Sequence, residues 1–358
     1  MAQHDQIRNM STRERYIGPA KPGMDVLGPL QSLPGVWHSR ARGWNMIALP
    51  VAPSLTDGSA AAPFRVLMNQ YSETLKFTTV DTKVPNRGIR VEDDGTINDA
   101  TQFVVTLDYE QKIAQDLAED FPKTKLAGGP GTDIHHEPGL WLNMTNEKTN
   151  NIDIARLASV PHGNSILAMG QSDHYKGGAK EIPPLNGAIP AVSGLPIGRL
   201  PLERETDSYL APYQHYIDNP FMGNAGSVPG FPGFSPADMN AILRFAHGSG
   251  DDVEWTTQLS VDSTIERGGV SNIPFVEKQA DAASMSSTYW IQQMKDDDMS
   301  GCRKGQPRFR LLYTQVVMLD FFAPRRDGLP GRAQWPHISI NSLEKLSDDP
   351  DFEAPPLK

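Results

Sequence analysis

Apolar and polar residues alternate with period two over about ten stretches of this chain. In residues 252–263, Val253, Trp255, Thr257, Leu259 and Val261 fall on one face of an extended segment. Glu254, Thr256, Gln258, Ser260 and Asp262 fall on the other. Phe103, Val105, Leu107 and Tyr109 alternate in the same way with Thr106, Asp108 and Glu110. Half-buried antiparallel strands carry this pattern, with one face on a core and one in water. The same reading predicts strands over 35–49, 64–80, 101–113, 135–144, 151–160, 164–171, 284–294, 308–322 and 336–343. In 308–322, RFRLLYTQVVMLDFF, both faces are apolar, which predicts a strand covered on both sides. Strands with so little helix between them must protect their edges, and closure into a barrel does so. The fold class expected is therefore all-β, an antiparallel barrel of about ten strands wide enough to hold a ligand. A two-sheet sandwich gives much the same periodicity, so the alternation leaves it open.

One long stretch breaks the rhythm. Residues 171–251 are dense in Pro and Gly (EIPPLNGAIPAVSGLPIGRLPLE, NAGSVPGFPGFSPADMN) and poor in strand signals. Their aromatics Tyr209, Tyr213, Tyr216 and Phe221 are too apolar for a free linker, so the segment is expected to pack on the body. Its one good helix signal is FSPADMNAILRFAHG, with Ser235 as N-cap, Pro236 in the first turn and Gly248 past the end. Ordered loops this long commonly act as lids. The expectation is a lid over a pocket, against an oligomer-forming or decorative insertion. The chain then divides into a polar leader, 1–26, and a single barrel domain, 27–358, that carries the insertion.

Composition narrows the partners. The 358 residues are 38% hydrophobic and 21% charged, enough for a sizeable core. Gly (31) and Pro (30) make up roughly a sixth of the chain, which favours turns over long helices. A net charge of −10 argues against nucleic acid and anionic membrane as partners and leaves a small molecule as the expected one. One cysteine, Cys302, rules out an internal disulfide and fits a reducing compartment. It sits in the polar turn DDDMSGCRKG and reads as a passive thiol. The first twenty residues contain no apolar core segment, and no stretch is long enough to span a bilayer, so the expected location is cytoplasmic.

Most familiar catalytic and binding motifs are missing. There is no phosphate-binding glycine loop, no G-x-S-x-G elbow, no HExxH and no CxxC. GGPGTD (128–133) reads as a turn. The chemistry rests on nine histidines. His4 is in the leader, His162 is in a turn, and His174, His215 and His247 belong to the insertion. His135 and His136 are adjacent at a strand start, so only one can face inward. His337 opens the last strand, WPHISINSLEKL. There it shares a face with Ser339 and Asn341, while Ile338 and Ile340 face the other way. If the polar face is the outer one, His337 is a surface residue.

An ordered series of short motifs nonetheless runs along the chain. Gly35 and Trp37 open it, followed by Glu73, Leu75 and Phe77. His135, Glu137, Gly139 and Leu140–Trp141 come next, then His162–Gly163 and Gly170. Leu311, Tyr313 and Met318 precede a final His337, Ile338 and Ile340. Together they resemble the nitrobindin family of heme-binding β-barrels over perhaps 150 to 180 residues. The resemblance implies a ten-stranded barrel, related in shape to fatty-acid-binding proteins, that holds heme b at its mouth. It implies His337 as the axial iron ligand and His135 as the residue of the open, distal side. Trp37, Leu167, Met169, Tyr313 and Met318 are expected as pocket walls. The family binds nitric oxide and isomerises peroxynitrite, so the implied activity is peroxynitrite isomerase-like or peroxidase-like. This chain is about twice a minimal member's length and reads Ser39–Arg40–Ala41–Arg42 where smaller members keep glycines. Two readings stand beside the heme protein. One is a heme-free barrel for a hydrophobic, lipid-like molecule. The other is a heme-free enzyme using His135, Glu137 and His162 as acid–base groups on such a metabolite.

Overall fold

A computed structural model of the chain describes residues 27–51, 64–144, 152–160, 163–198, 200, 209–265, 267–295, 308–323, 325 and 330–357. Ten strands make the body: β1 (Gly35–Pro50), β2 (Phe64–Asn86), β3 (Gln102–Phe121), β4 (Asp133–Met144), β5 (Ile154–Val160), β6 (Asn164–Lys176), β7 (Val253–Asp262), β8 (Ala280–Met294), β9 (Phe309–Phe321) and β10 (Ala333–Ser347). Each pairs antiparallel with the next. β10 returns to β1, from Val36↔Ser347 to Ile47↔His337, so the ring closes. That pairing decides for a barrel over a sandwich. All ten strands coincide with alternating stretches of the sequence. They run longer where polar residues continue the backbone ladder, as in β2, which reaches Asn86.

The two ends of the barrel differ. One end is filled by inward-facing Trp37, Leu75, Phe77, Leu107, Trp141 and Leu311. A short turn brings Leu30 and Leu33 across it, and the Trp37 Nε1–H donates to the Leu33 carbonyl at 2.8 Å. Each such side chain contributes about 1.5–3 kcal/mol when fully buried. The other end is open and holds the cavity described below.

No described residue of the insertion lines that cavity. The insertion leaves β6 after Lys176 and rejoins at Val253, both at the filled end, and then runs along the outside of the barrel. There it buries Trp44, Met46, Met68, Leu312, Ile338 and Ile340, the outward faces of β1, β2, β9 and β10. The Trp44 ring packs against Phe221, Phe231 and Phe234 at centroid separations of 5.8, 5.3 and 5.8 Å. Polar pins hold the segment in place. The Asn224 N–H donates to Gln70 Oε1 at 2.7 Å, and Arg310 Nη1 donates to the Ala246 carbonyl at 3.0 Å. Residues Ala191–Val192 pair with Ala333 and Gln334, the part of β10 that extends beyond β1. The described residues of the insertion thus form an outer buttress, because their aromatic side chains match an apolar outer wall that runs from Trp44 to Phe64 and Trp335 at the open end.

The buttress also explains β9. Its outward residues Leu312, Thr314 and Val316 lie under the insertion while Leu311 and Tyr313 face the interior, so it is covered on both sides. Among the described residues of the insertion two α-helices occur, α1 (Ala211–Asp218) and α2 (Ala241–His247). α1 was not predicted. α2 begins at Ala241 and not beside Ser235, whose hydroxyl instead accepts from the Ala237 N–H in a preceding turn. Gly248, with φ +64°, ends α2 as expected. Among the described residues no helix is long and apolar enough to cross a membrane. The leader, His162 and Cys302 lie outside the described residues.

Candidate functional site

The open end encloses a cavity of about 680 Å³, within the 300–1,000 Å³ typical of small-molecule sites. Its walls are graded. Towards the mouth lies an apolar collar of Ile47, Leu49, Leu67, Val317, Leu319 and Phe321. One step deeper, an amide and hydroxyl belt crosses five consecutive strands: Gln115 on β3, Asn69 on β2, Asn45 on β1, Ser339 on β10 and Gln315 on β9. The pairing register aligns it, with Asn45 opposite both Asn69 and Ser339, and Ser339 opposite Gln315. Exposed Gly128 and Thr132 of the β3–β4 loop, with Lys278 and Gln279, border the opening.

His337 sits at the junction of collar and belt, paired with Ile47 on one side and Val317 on the other. Asn45 Nδ2 lies 2.5 Å from its Nε2 and donates to Ser339 Oγ at 3.0 Å. The face that reads as polar in PHISINSL is therefore the inner one. Ile338 and Ile340 point outward and are fully buried beneath the buttress. Alternation alone could not settle this, because the outer face of β10 is the drier of the two.

Below the belt the floor is a buried hydrogen-bond network with two carboxyls whose pKa values are shifted in opposite directions. Glu73 is fully buried. It accepts from Gln111 Nε2 at 2.7 Å, from Asn341 Nδ2 at 2.7 Å and from the Tyr313 hydroxyl at 2.7 Å. Burial raises its pKa above the ordinary carboxyl value, and these three donors only partly offset that. Tyr71 shares a 2.9 Å contact with the Tyr313 hydroxyl and donates to the Ile340 carbonyl at 3.1 Å. Burial and then Glu73 push both phenols well above their usual pKa. The Tyr71 ring lies where a Cβ on Gly43 would stand, 2.0 Å from its nearest atom, so residue 43 must be glycine for this hydroxyl to reach the floor.

Glu137 is the other carboxyl. It accepts from Arg156 Nη2 at 2.7 Å and from the Tyr109 hydroxyl at 2.5 Å. His135 Nε2 lies 3.2 Å from its second oxygen. Burial opposes ionisation here too, but the Arg156 guanidinium outweighs it, helped by His135, and holds the carboxyl far below its usual range. Arg156 is fully buried and is also bonded to Tyr109, Ser287 and Gln315. Gly139 gives the Tyr109 ring room, since a Cβ there would come within 2.5 Å of it.

His135, Tyr313 and His337 all line the cavity, and Glu137 lies beside His135. His136 faces outward and meets Glu110 Oε1 at 3.0 Å. The other expected wall residues stand elsewhere. Trp37 is in the filled end. Leu167, Met169 and Met318 do not line the cavity, because their neighbours Ile166, Ala168, Val317 and Leu319 take the inward positions of β6 and β9. Asn45, Asn69, Gln115, Gln315 and Arg156 were not anticipated. The available signal was a polar residue at an inward-parity position, as with Arg156 between Ile154 and Ala158.

No group of three or more His, Cys, Asp or Glu residues suited to a bare metal ion occurs among the described residues. No family model matches the chain, and no curated protein matches it by sequence. A solved structure of Rv2717c from M. tuberculosis is similar to it at 12% identity, covering 91% of this chain and 99% of that one with a TM-score of 0.34.

Proposed function

We propose that this barrel is a nitrobindin-like protein that binds heme b in its cavity through His337 and acts on a small oxidant or nitrogen oxide such as nitric oxide, peroxynitrite or peroxide. The observation that carries the reading is the imidazole of His337 in the wall of the cavity, flanked by Ile47 and Val317. The residues present fit the group. A single axial imidazole needs no cluster of ligands, the collar offers apolar contact for a macrocycle, and the volume is that of a small-molecule site. When bound, the heme would supply an iron centre able to bind or convert the oxidant. The chain's own residues do the rest. His337 would give the axial nitrogen, and Asn45 fixes the ring by its contact at Nε2. Glu137, held ionised by Arg156, orients His135, which we assign the catalytic, proton-holding role on the cavity side.

The test is a hemin titration of apoprotein followed by visible absorption. A Soret band that saturates at one heme per chain, and is lost in His337→Ala but kept in His4→Ala, supports the reading. An unchanged band in His337→Ala overturns it. A heme-free barrel for an amphipathic molecule is the second reading. The polar belt favours it, because Asn69 Oδ1 in that belt has no hydrogen-bond partner and a purely apolar ligand would leave it so. Uptake of such a molecule with no Soret change in wild type would select it.

A further inference from the structure

Among the described residues, two buried side-chain atoms that line the cavity have no hydrogen-bond partner, and both belong to acceptor groups: Asn69 Oδ1 and Glu277 Oε2. Their residues are 4% and 9% exposed. The orientation of Asn69 is fixed from outside the cavity. Gln115 Nε2 donates to the carbonyls of Ala127 at 3.2 Å and Gly129 at 3.1 Å, so Gln115 must present Oε1 to its neighbour. Asn69 Nδ2 donates to that oxygen at 2.8 Å, which leaves Oδ1 as the atom without a donor.

Glu277 is fixed on the opposite side of the ring. Asn164 Nδ2, on β6, donates to its Oε1 and to Asn272 Oδ1. Asn272 is itself locked by the Ala282 backbone, accepting at 2.9 Å and donating at 3.0 Å. Gly163, at φ +102°, lets Val276 and Glu277 approach, since a Cβ there would lie 3.0 Å from each side chain. Asp281 on β8, paired with Arg332 at 3.0 Å, shares a hydrogen bond with Glu277 while one of the two carboxyls is protonated; once both are ionised, two acceptors face each other and Oε2 has no donor. Burial and then Asp281 raise the Glu277 carboxyl to about 7. A buried acceptor without a donor loses its hydration and gains nothing in exchange.

We infer that the cavity takes an amphiphile bearing N–H or O–H donors, an organic amine in particular, with its donor groups on Asn69 Oδ1 and Glu277 Oε2 and its apolar body against the collar. This rests on the reading of the cavity as a ligand site and is independent of heme.

The test is calorimetric titration of heme-free full-length protein at pH 8 with three probes of similar length: 1-octylamine, 1-octanol and heptyl methyl ether. The ether keeps the apolar body and has no donor. The alcohol is expected to bind about three- to tenfold tighter than the ether, the gain of one hydrogen bond, and the amine tighter still. Glu277→Gln keeps an acceptor for Asn164 and removes the charge, so it is expected to cancel the preference for amine over alcohol. Asn69→Ser, checked for folding by its melting curve, is expected to narrow the gap between alcohol and ether. Equal affinity for all three probes, or binding of none, overturns the inference. A hemin titration of the same preparation reads the heme proposal separately: a Soret band with no donor preference leaves heme standing and removes this inference alone.

Discussion

Replacing Arg156 by Met tests the floor of the cavity. The guanidinium is fully buried and donates to Glu137, Gln315, Tyr109 and Ser287 at 2.7, 2.7, 2.9 and 3.2 Å. It also lies over the rings of Tyr109, Tyr289 and Trp141 at 5.0, 5.5 and 5.7 Å. Methionine keeps most of the stem's packing but leaves Glu137 charged and buried. Breaking such a pair by removing one partner costs roughly 3–5 kcal/mol. The lower end is expected, because Glu137 keeps the Tyr109 hydroxyl and His135. The pH response should reverse sign. In the wild type the Glu137 carboxyl is depressed, so its contribution is present above its unfolded pKa of about 4.3 and is lost as pH falls below that. In Arg156→Met burial, the largest influence on this carboxyl, is opposed only by the His135 and Tyr109 contacts and raises it, so stability is lost as pH rises above about 4.3. Urea unfolding at pH 5 and pH 7.5 reads both effects, and Glu137→Gln/Arg156→Met should recover most of the loss. A cost below about 1 kcal/mol with no change in pH dependence would refute a desolvated ion pair at this site.

Three further outcomes are expected. Trp44→Ala removes the ring that seats Phe221, Phe231 and Phe234, at a cost of about 3–5 kcal/mol. It should speed proteolysis within 177–251 while ligand uptake stays intact; lost uptake would mean that the insertion shapes the cavity. Glu277, raised to about 7, favours the folded state most below pH 4, and that contribution fades as pH rises through 7. Glu277→Gln should therefore gain stability over wild type between pH 5 and pH 8, on the order of 1–3 kcal/mol by melting or urea curves; parallel pH profiles would count against a buried carboxyl. Asn45→Ala frees Nε2 of His337 from its 2.5 Å contact. Because that contact holds the ring in place, heme affinity in spectral titration should fall several-fold, the worth of one hydrogen bond; unchanged or tighter uptake would show that Asn45 competes with iron and does not support its ligand.

The strands were legible because half-buried segments must alternate, and their approximate number and their places along the chain followed from the pattern; that β10 closes on β1 did not. Which face turned inward was not. Ile338 and Ile340 look like core and His337 and Ser339 like surface, yet the buttress dries the outside of β10 while the cavity keeps the inside polar. The insertion's aromatic residues signalled packing, but nothing local shows that Trp44 and Trp335 were their partners, since those contacts span more than a hundred residues. Motif order brought out His135, Glu137, Tyr313 and His337. Arg156, Asn45 and Gln315 stayed hidden because each is a polar residue within a mostly apolar run, and Asn69 and Gln115 because other polar residues adjoin them in sequence. Their meaning appears only when closure sets Asn45 between Asn69 and Ser339.

The most direct measurement is a crystal of hemin-reconstituted protein with data collected at the iron absorption edge. The account expects one anomalous peak inside the cavity, bonded to a ring nitrogen of His337 and facing His135. An iron site outside the barrel, or a cavity filled by an organic molecule with no iron density, would contradict it.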